Sequence, residues 1–130
     1  MENIIEQVKD VLKMEAQGIM DLVDRVGPEF EEAVKIILGA KGRVILTGMG
    51  KSGLVGRKIS ATLNSTGTPS LFMHPAEALH GDLGMVTKDD IILSISNSGH
   101  TQEINKLLPI IKKMGAKIIS FTGGCPCARL

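Results

Sequence analysis

From residue 43 onward, short apolar runs alternate with segments of helical period, and no other feature restricts the fold as tightly. Arg43–Thr47, Ser70–Met73, Asp90–Leu93 and Lys117–Phe121 read as four short strands. Between them, Leu54, Val55, Ile59, Thr62 and Leu63 mark a helix that closes near Gly67. Ile104, Leu107, Leu108, Ile111 and Met114 mark another, predicted over Thr101–Met114 and capped by Gly115. His74–Thr87 has no regular period and reads as a long loop. Strands alternating with helices need crossover connections. They are therefore predicted to lie parallel, in an α/β fold whose sheet is covered on both faces.

Residues 3–26 read as one amphipathic helix, with Ile4, Val8, Val11, Leu12, Ile19, Leu22, Val23 and Val26 on its stripe. Gly27-Pro28 ends it, and Pro28 suits the first position of a second helix. Glu29, Glu31 and Glu32 then complement that helix's dipole, Phe30, Ala33, Val34 and Ile37 face inward, and Gly39 stops it. The expected organisation is two N-terminal helices over residues 1–41, a sheet-containing core over 42–123 and an atypical tail over 124–130. The helices pack on the core or on a neighbouring subunit, and periodicity does not separate the two.

The 130 residues suffice for one domain with a real core. Aromatics make up 2% of the chain, with no Trp or Tyr, which argues against platforms that stack bases or sugars. A net charge of +1 favours neither nucleic acid nor an anionic membrane as partner. No apolar run approaches the length of a membrane span, and Met1-Glu2-Asn3 does not open a signal peptide, so a cytoplasmic location is expected. Cys125 and Cys127 offer two metal ligands, too few for a structural zinc site, and read as free thiols.

Three polar segments fall at the carboxyl ends of the predicted strands, where open parallel sheets bind ligands. The richest is Ser94-Ile95-Ser96-Asn97-Ser98-Gly99-His100-Thr101-Gln102-Glu103, a strand-to-helix turn filled with hydroxyls. Free backbone N–H groups and the positive end of the helix dipole suit such a turn to an anion such as a phosphate. Helix capping alone needs one Ser or Thr, and four such residues lie within eight positions here. Gly48-Met49-Gly50-Lys51-Ser52-Gly53 matches G-x-G-x-x-G after a strand, but Phe72-Met73-His74 supplies no acidic residue for a ribose. A P-loop fails as well, since its leading glycine would fall at Ile45. What remains is a tight glycine turn with Lys51 at a helix start, where the dipole disfavours a cation and function can override the local rule. In the third segment, His80 is a candidate proton shuttle, whereas His74 reads as surface polarity. Glu103, in the first turn of its helix, is either a dipole-complementing residue or a general base.

Gly48–Gly53, Ser65-Thr66-Gly67-Thr68-Pro69, His80-Gly81-Asp82-Leu83-Gly84-Met85 and Ile95–Gly99, in this order, resemble the sugar isomerase (SIS) domain. Within it they are most similar to the D-arabinose 5-phosphate isomerases. The resemblance implies a flavodoxin-like three-layer α/β/α sandwich, usually assembled as a homotetramer. It implies interconversion of D-ribulose 5-phosphate and D-arabinose 5-phosphate through an enediol, feeding 3-deoxy-D-manno-octulosonate synthesis for lipopolysaccharide or capsule. By motif position it places the phosphate on Ser52, Ser96, Ser98 and Thr101, with Gly48, Gly50 and Gly99 shaping the turns. The resemblance further implies that Lys51, Glu103 and His80 occupy functional positions, that no cofactor is required, and that His80 is a candidate contact for a divalent metal. The likeness runs to about Thr122, and Gly124–Leu130 does not resemble the family's continuation. A fifth strand, a further glutamate and a histidine of the catalytic set are therefore expected to be missing. The alternative function is a sugar-phosphate-binding regulatory module without catalysis.

Overall fold

The computed structural model describes residues 3–123. The chain divides into two compact units, up to Ile36 and from Ile37 onward. In the first unit, α1 (Ile4–Met20) is capped by Asn3, whose side chain accepts the Ile5 N–H at 3.1 Å. The single helix expected over residues 3–26 ends at Met20 instead. A 3-10 turn follows at Val23–Arg25, closed by i to i+3 bonds from Arg25 N to Leu22 O and Val26 N to Val23 O. Asp21, Val23, Asp24 and Val26 are poor helix formers, and Val26 is extended ahead of Gly27. Helix α2 (Pro28–Leu38) begins at the proline, as predicted, with Glu29 and Glu31 in its first turn.

The second unit holds β1 (Val44–Gly48), α3 (Gly50–Ser65), β2 (Ser70–Phe72), α4 (Pro75–Leu79), β3 (Ile91–Ser96), α5 (Gln102–Met114) and β4 (Lys117–Thr122). Its four strands pair in the order β2-β1-β3-β4, all parallel. Alternate residues of β1 point to opposite faces. Ile45 joins Met73, Ala78, Val86, Ile92, Leu107, Ile111 and Ala116 in a core shared with α4 and α5. Leu46 and Phe72 lie instead against Gly56 of α3, where Arg57 also covers the Phe72 ring at 4.2 Å. So α3 covers one face and α4 with α5 the other, giving the expected three layers. No fifth strand occurs among the described residues, and Gly124–Leu130 lie outside them.

Three boundaries differ from expectation in ways that matter for the site. Helix α3 starts at Gly50, so Lys51, Ser52 and Gly53 lie in its first turn rather than in a loop. Strand β3 runs on to Ser96, because Ser94, Ile95 and Ser96 pair with β4 although two of them carry no strand signal. The loop His74–Thr87 contains α4 and a 3-10 turn at Asp82–Met85, both too short to show a period.

At the opposite, amino ends of the strands, Asp90 ties the sheet together. Its buried carboxylate accepts bonds from Arg43 N (2.8 Å), Arg43 Nε (3.2 Å), Arg43 Nη2 (2.9 Å), Thr87 N (2.9 Å) and Thr87 Oγ1 (3.1 Å). Burial alone would push this carboxyl up. The Arg43 guanidinium and the Arg43 and Thr87 donors outweigh it and hold Asp90 well below the usual carboxylate range. Arg43 is raised in turn, chiefly by its hydrogen bond to Asp90.

Candidate functional site

Strand β1 connects outward to β2 on one side, whereas β3 and β4 lie on its other side. The loops leaving β1 and β3 therefore diverge to opposite faces, and a crevice opens between their carboxyl ends. On the β1 side the backbone is packed without room for side chains. A Cβ on Gly53 would stand 2.6 Å from Gly48 O, and one on Gly48 would meet Ser52 C at 3.0 Å and Ile95 O at 3.1 Å. Gly50 turns the chain with φ +54°. These contacts seat the first turn of α3, with Lys51 and Ser52, directly on the ends of β1 and β3. Lys51 is exposed and pairs with no carboxylate among the described residues. Ser52 is half-buried.

On the β3 side, Ser96 is the buried hub of a tight turn. Its Oγ lies 2.8 Å from Thr101 Oγ1 and accepts the Gly99 N–H at 3.1 Å, while its carbonyl accepts the same N–H at 3.2 Å. Ser98 Oγ accepts the His100 N–H at 3.1 Å, and Gly99 takes φ +68°. The far side of the turn is held by the Gly123 N–H, which donates to Asn97 O at 2.9 Å. Thr101 stands at the N-cap of the thirteen-residue α5, yet its side chain makes no capping bond. Its hydroxyl goes to Ser96 instead, so the first turn of α5 lacks the bond that its cap residue ordinarily supplies. A long helix with such a start, ringed by the Ser96, Ser98 and Thr101 hydroxyls, presents donors and a positive dipole end to an anion.

Glu103, half-buried, projects from that same first turn and accepts no hydrogen bond among the described residues. His80 is exposed and forms the C-cap of α4, which follows β2. Among the described residues no hydrogen bond joins Lys51, His80 and Glu103 to one another. The hydroxyl residues expected to hold a phosphate thus lie on the two adjacent turns, whereas the three catalytic candidates are not linked to one another. Among the described residues no cluster of three or more His, Cys, Asp or Glu side chains forms a metal site, so His80 has no partner ligands of that kind. Cys125 and Cys127 lie outside the described residues.

Two features of this end of the sheet escape a sequence reading. Thr47, one residue before Gly48, is fully buried, and its Oγ1 has no hydrogen-bond partner among the described residues. His74 is the N-cap of α4, its side chain accepting the Ala76 N–H, and not a surface polar residue. The His74-Pro75 pair carried the signal, since proline favours the first helical position after a cap.

The SIS domain signature matches residues 36–125, well over half of the chain and all of the sheet. The chain belongs to the SIS domain family. As an SIS domain it is 53% identical over 121 residues to the arabinose 5-phosphate isomerase KdsD of Pseudomonas aeruginosa, covering 93% of this chain and 37% of that protein. It is 50% identical over 120 residues to the arabinose 5-phosphate isomerase KpsF of Escherichia coli O6:H1, covering 92% and 37%. The solved structure of the E. coli CFT073 protein c3406 in complex with arabinose 5-phosphate superposes with a TM-score of 0.91 at 45% identity. That match covers 98% of this SIS chain and 69% of the other. The chain spans a little over a third of the length of the curated relatives it matches. No helix among the described residues is long and apolar enough to cross a membrane.

Proposed function

We propose that this chain is the sugar-phosphate-binding SIS domain of a D-arabinose 5-phosphate isomerase. The observation that carries this reading is the start of α5, where Thr101 is engaged with Ser96 and does not cap the helix. Ser52, Ser96, Ser98 and Thr101 hold the phosphate together with the backbone N–H groups of that turn. The Ser96–Thr101 hydroxyl pair reorients its hydrogens toward the phosphate oxygens, at little cost because either atom can donate. Phosphate binding fixes the far end of the pentose and leaves C1 and C2 for chemistry.

Conversion of the ketose to the aldose moves one proton from C1 to C2 and a second from the C1 hydroxyl to the C2 oxygen, through an enediol. In this reading the Glu103 carboxylate takes the C1 proton and returns it to C2. The Lys51 ammonium supports the negative charge that develops on the carbonyl oxygen, or that of the phosphate. His80 contacts substrate hydroxyls. The steps so written call on side chains of this chain and require no cofactor. The product serves octulosonate synthesis in the cytoplasm.

The first unit supports self-association as a homotetramer. Ile4, Val8, Val11, Leu12 and Ile19 of its stripe are all exposed, a long apolar face for a second copy to cover.

The test is turnover of D-ribulose 5-phosphate, followed as D-arabinose 5-phosphate formed, by the wild type and Glu103→Gln. This reading expects a loss of about 100-fold or more in the variant relative to a wild type that turns the substrate over, on the order of a general base. Equal rates would remove Glu103 from the mechanism. Because Lys51, His80 and Glu103 are unlinked here, the second reading is a binding module. Ligand-dependent stabilisation without product supports that alternative.

A further inference from the structure

We propose that His74 is a positioning residue for this site: its neutral imidazole, with the proton on Nε2, caps α4 and thereby fixes His80. This rests on the functional reading in which His80 faces the sugar.

Helix α4 has five residues, too few to persist through its own hydrogen bonds. Its ends must be held from outside. At the start, Pro75 has no N–H, the Ala76 N–H goes to His74 Nδ1 at 3.2 Å, and the Ala78 N–H goes to His74 O at 2.9 Å. At the finish, the His80 N–H goes to Glu77 O at 2.9 Å and the Gly81 N–H to Ala78 O at 3.3 Å. Upstream, the Met73 N–H goes to Leu46 O at 2.8 Å, which anchors the segment to β1. Ala78 is buried in the core shared with α5. His74 and His80 are therefore the two caps of one short helix that follows β2 and is tied to β1 through Leu46. The side chain of one sets the starting frame of the helix that delivers the other.

A ring nitrogen that accepts a backbone N–H carries a lone pair. In the capping form the His74 proton is therefore on Nε2. An asparagine side-chain oxygen can accept the same N–H, and Asn is a strong N-cap, whereas alanine has no acceptor. This separates capping from any other use of the ring.

The experiment uses the full chain, labelled with nitrogen-15, as wild type, His74→Asn and His74→Ala. Long-range proton–nitrogen spectra report the ring tautomers, and calorimetry reports the Kd for D-arabinose 5-phosphate. Capping by His74 requires the Nε2–H tautomer in the wild type. It also requires His80 ring signals and a Kd within about twofold of wild type in His74→Asn. In His74→Ala the expected result is shifted His80 signals and binding weaker by about fivefold, the scale of one lost cap. A His74 proton on Nδ1 in the wild type overturns the proposal. So do wild-type His80 signals in His74→Ala, or an Asn variant as impaired as the Ala variant. If no form binds the sugar phosphate, the functional reading fails, while the His80 ring signals still decide the capping. Should His74→Ala not fold, the wild-type tautomer and the Asn variant still decide the matter.

Discussion

Replacing Asp90 with alanine removes the acceptor of five hydrogen bonds that join the amino ends of β1 and β3 to the segment before β3. The cost is unevenly spread. The Arg43 side chain is 36% exposed, so its guanidinium is rehydrated and contributes no more than an exposed pair, about 0–1 kcal/mol. The Arg43 and Thr87 backbone N–H groups are left without their acceptor, at about 1–3 kcal/mol each where water does not reach them. A loss of about 3 kcal/mol follows, at the low end for breaking a buried ion pair. For a chain of this size that lowers Tm by about 9–15 °C. The pH dependence has a definite sign. Asp90 is depressed in the folded state, so its contribution is complete above the ordinary carboxylate pKa and drains away as pH falls below about 4. The gap between wild type and Asp90→Ala is therefore expected to narrow by about 2 kcal/mol between about pH 7 and pH 2.5. Urea unfolding followed by far-ultraviolet circular dichroism measures it, since the chain has no Trp or Tyr to follow by fluorescence. A gap that stays constant with pH, or a Tm within about 2 °C of wild type, would show that Asp90 does not tie the strands together in this way.

Two further substitutions test the other end of the sheet. Gly53→Ala places a methyl 2.6 Å from the Gly48 carbonyl, a backbone atom that cannot swing aside. It is expected to cost about 2–3 kcal/mol in urea unfolding and to weaken sugar-phosphate binding by displacing Lys51 and Ser52. Thr47→Val removes a buried hydroxyl that has no partner among the described residues while keeping the shape of the side chain. It is expected to raise stability by about 1 kcal/mol in the same assay, and a destabilised variant would show that the hydroxyl is used.

The sheet is legible in the sequence because Val44-Ile45-Leu46 and Ile91-Ile92-Leu93 are continuous apolar runs, as strands buried on both faces require. Ser94 and Ser96 are not legible as strand, since hydroxyl residues carry no such preference and only pairing with β4 settles their conformation. The Arg43–Asp90 tie joins residues 47 positions apart, and nothing local signals it. At the site, the density of Ser and Thr around Gly99 is enough to indicate an anion cradle. That density does not reveal that Thr101 bonds Ser96 instead of capping α5, because a threonine before a helix ordinarily reads as its cap. His74 looks like loop in the sequence because the five-residue α4 leaves no periodic trace, and only the proline that follows marks its N-cap.

Phosphate capture at the turn from β3 into α5 underlies the function proposed for this chain. It is decided by titrating the nitrogen-15-labelled protein with D-arabinose 5-phosphate and, separately, with D-arabinose. The expected result is saturable shifts of the amide signals from Asn97 to Glu103 with the phosphorylated sugar, none with D-arabinose, and loss of the response in Ser98→Ala. Equal binding of the two sugars, or shifts centred away from that turn, would contradict it.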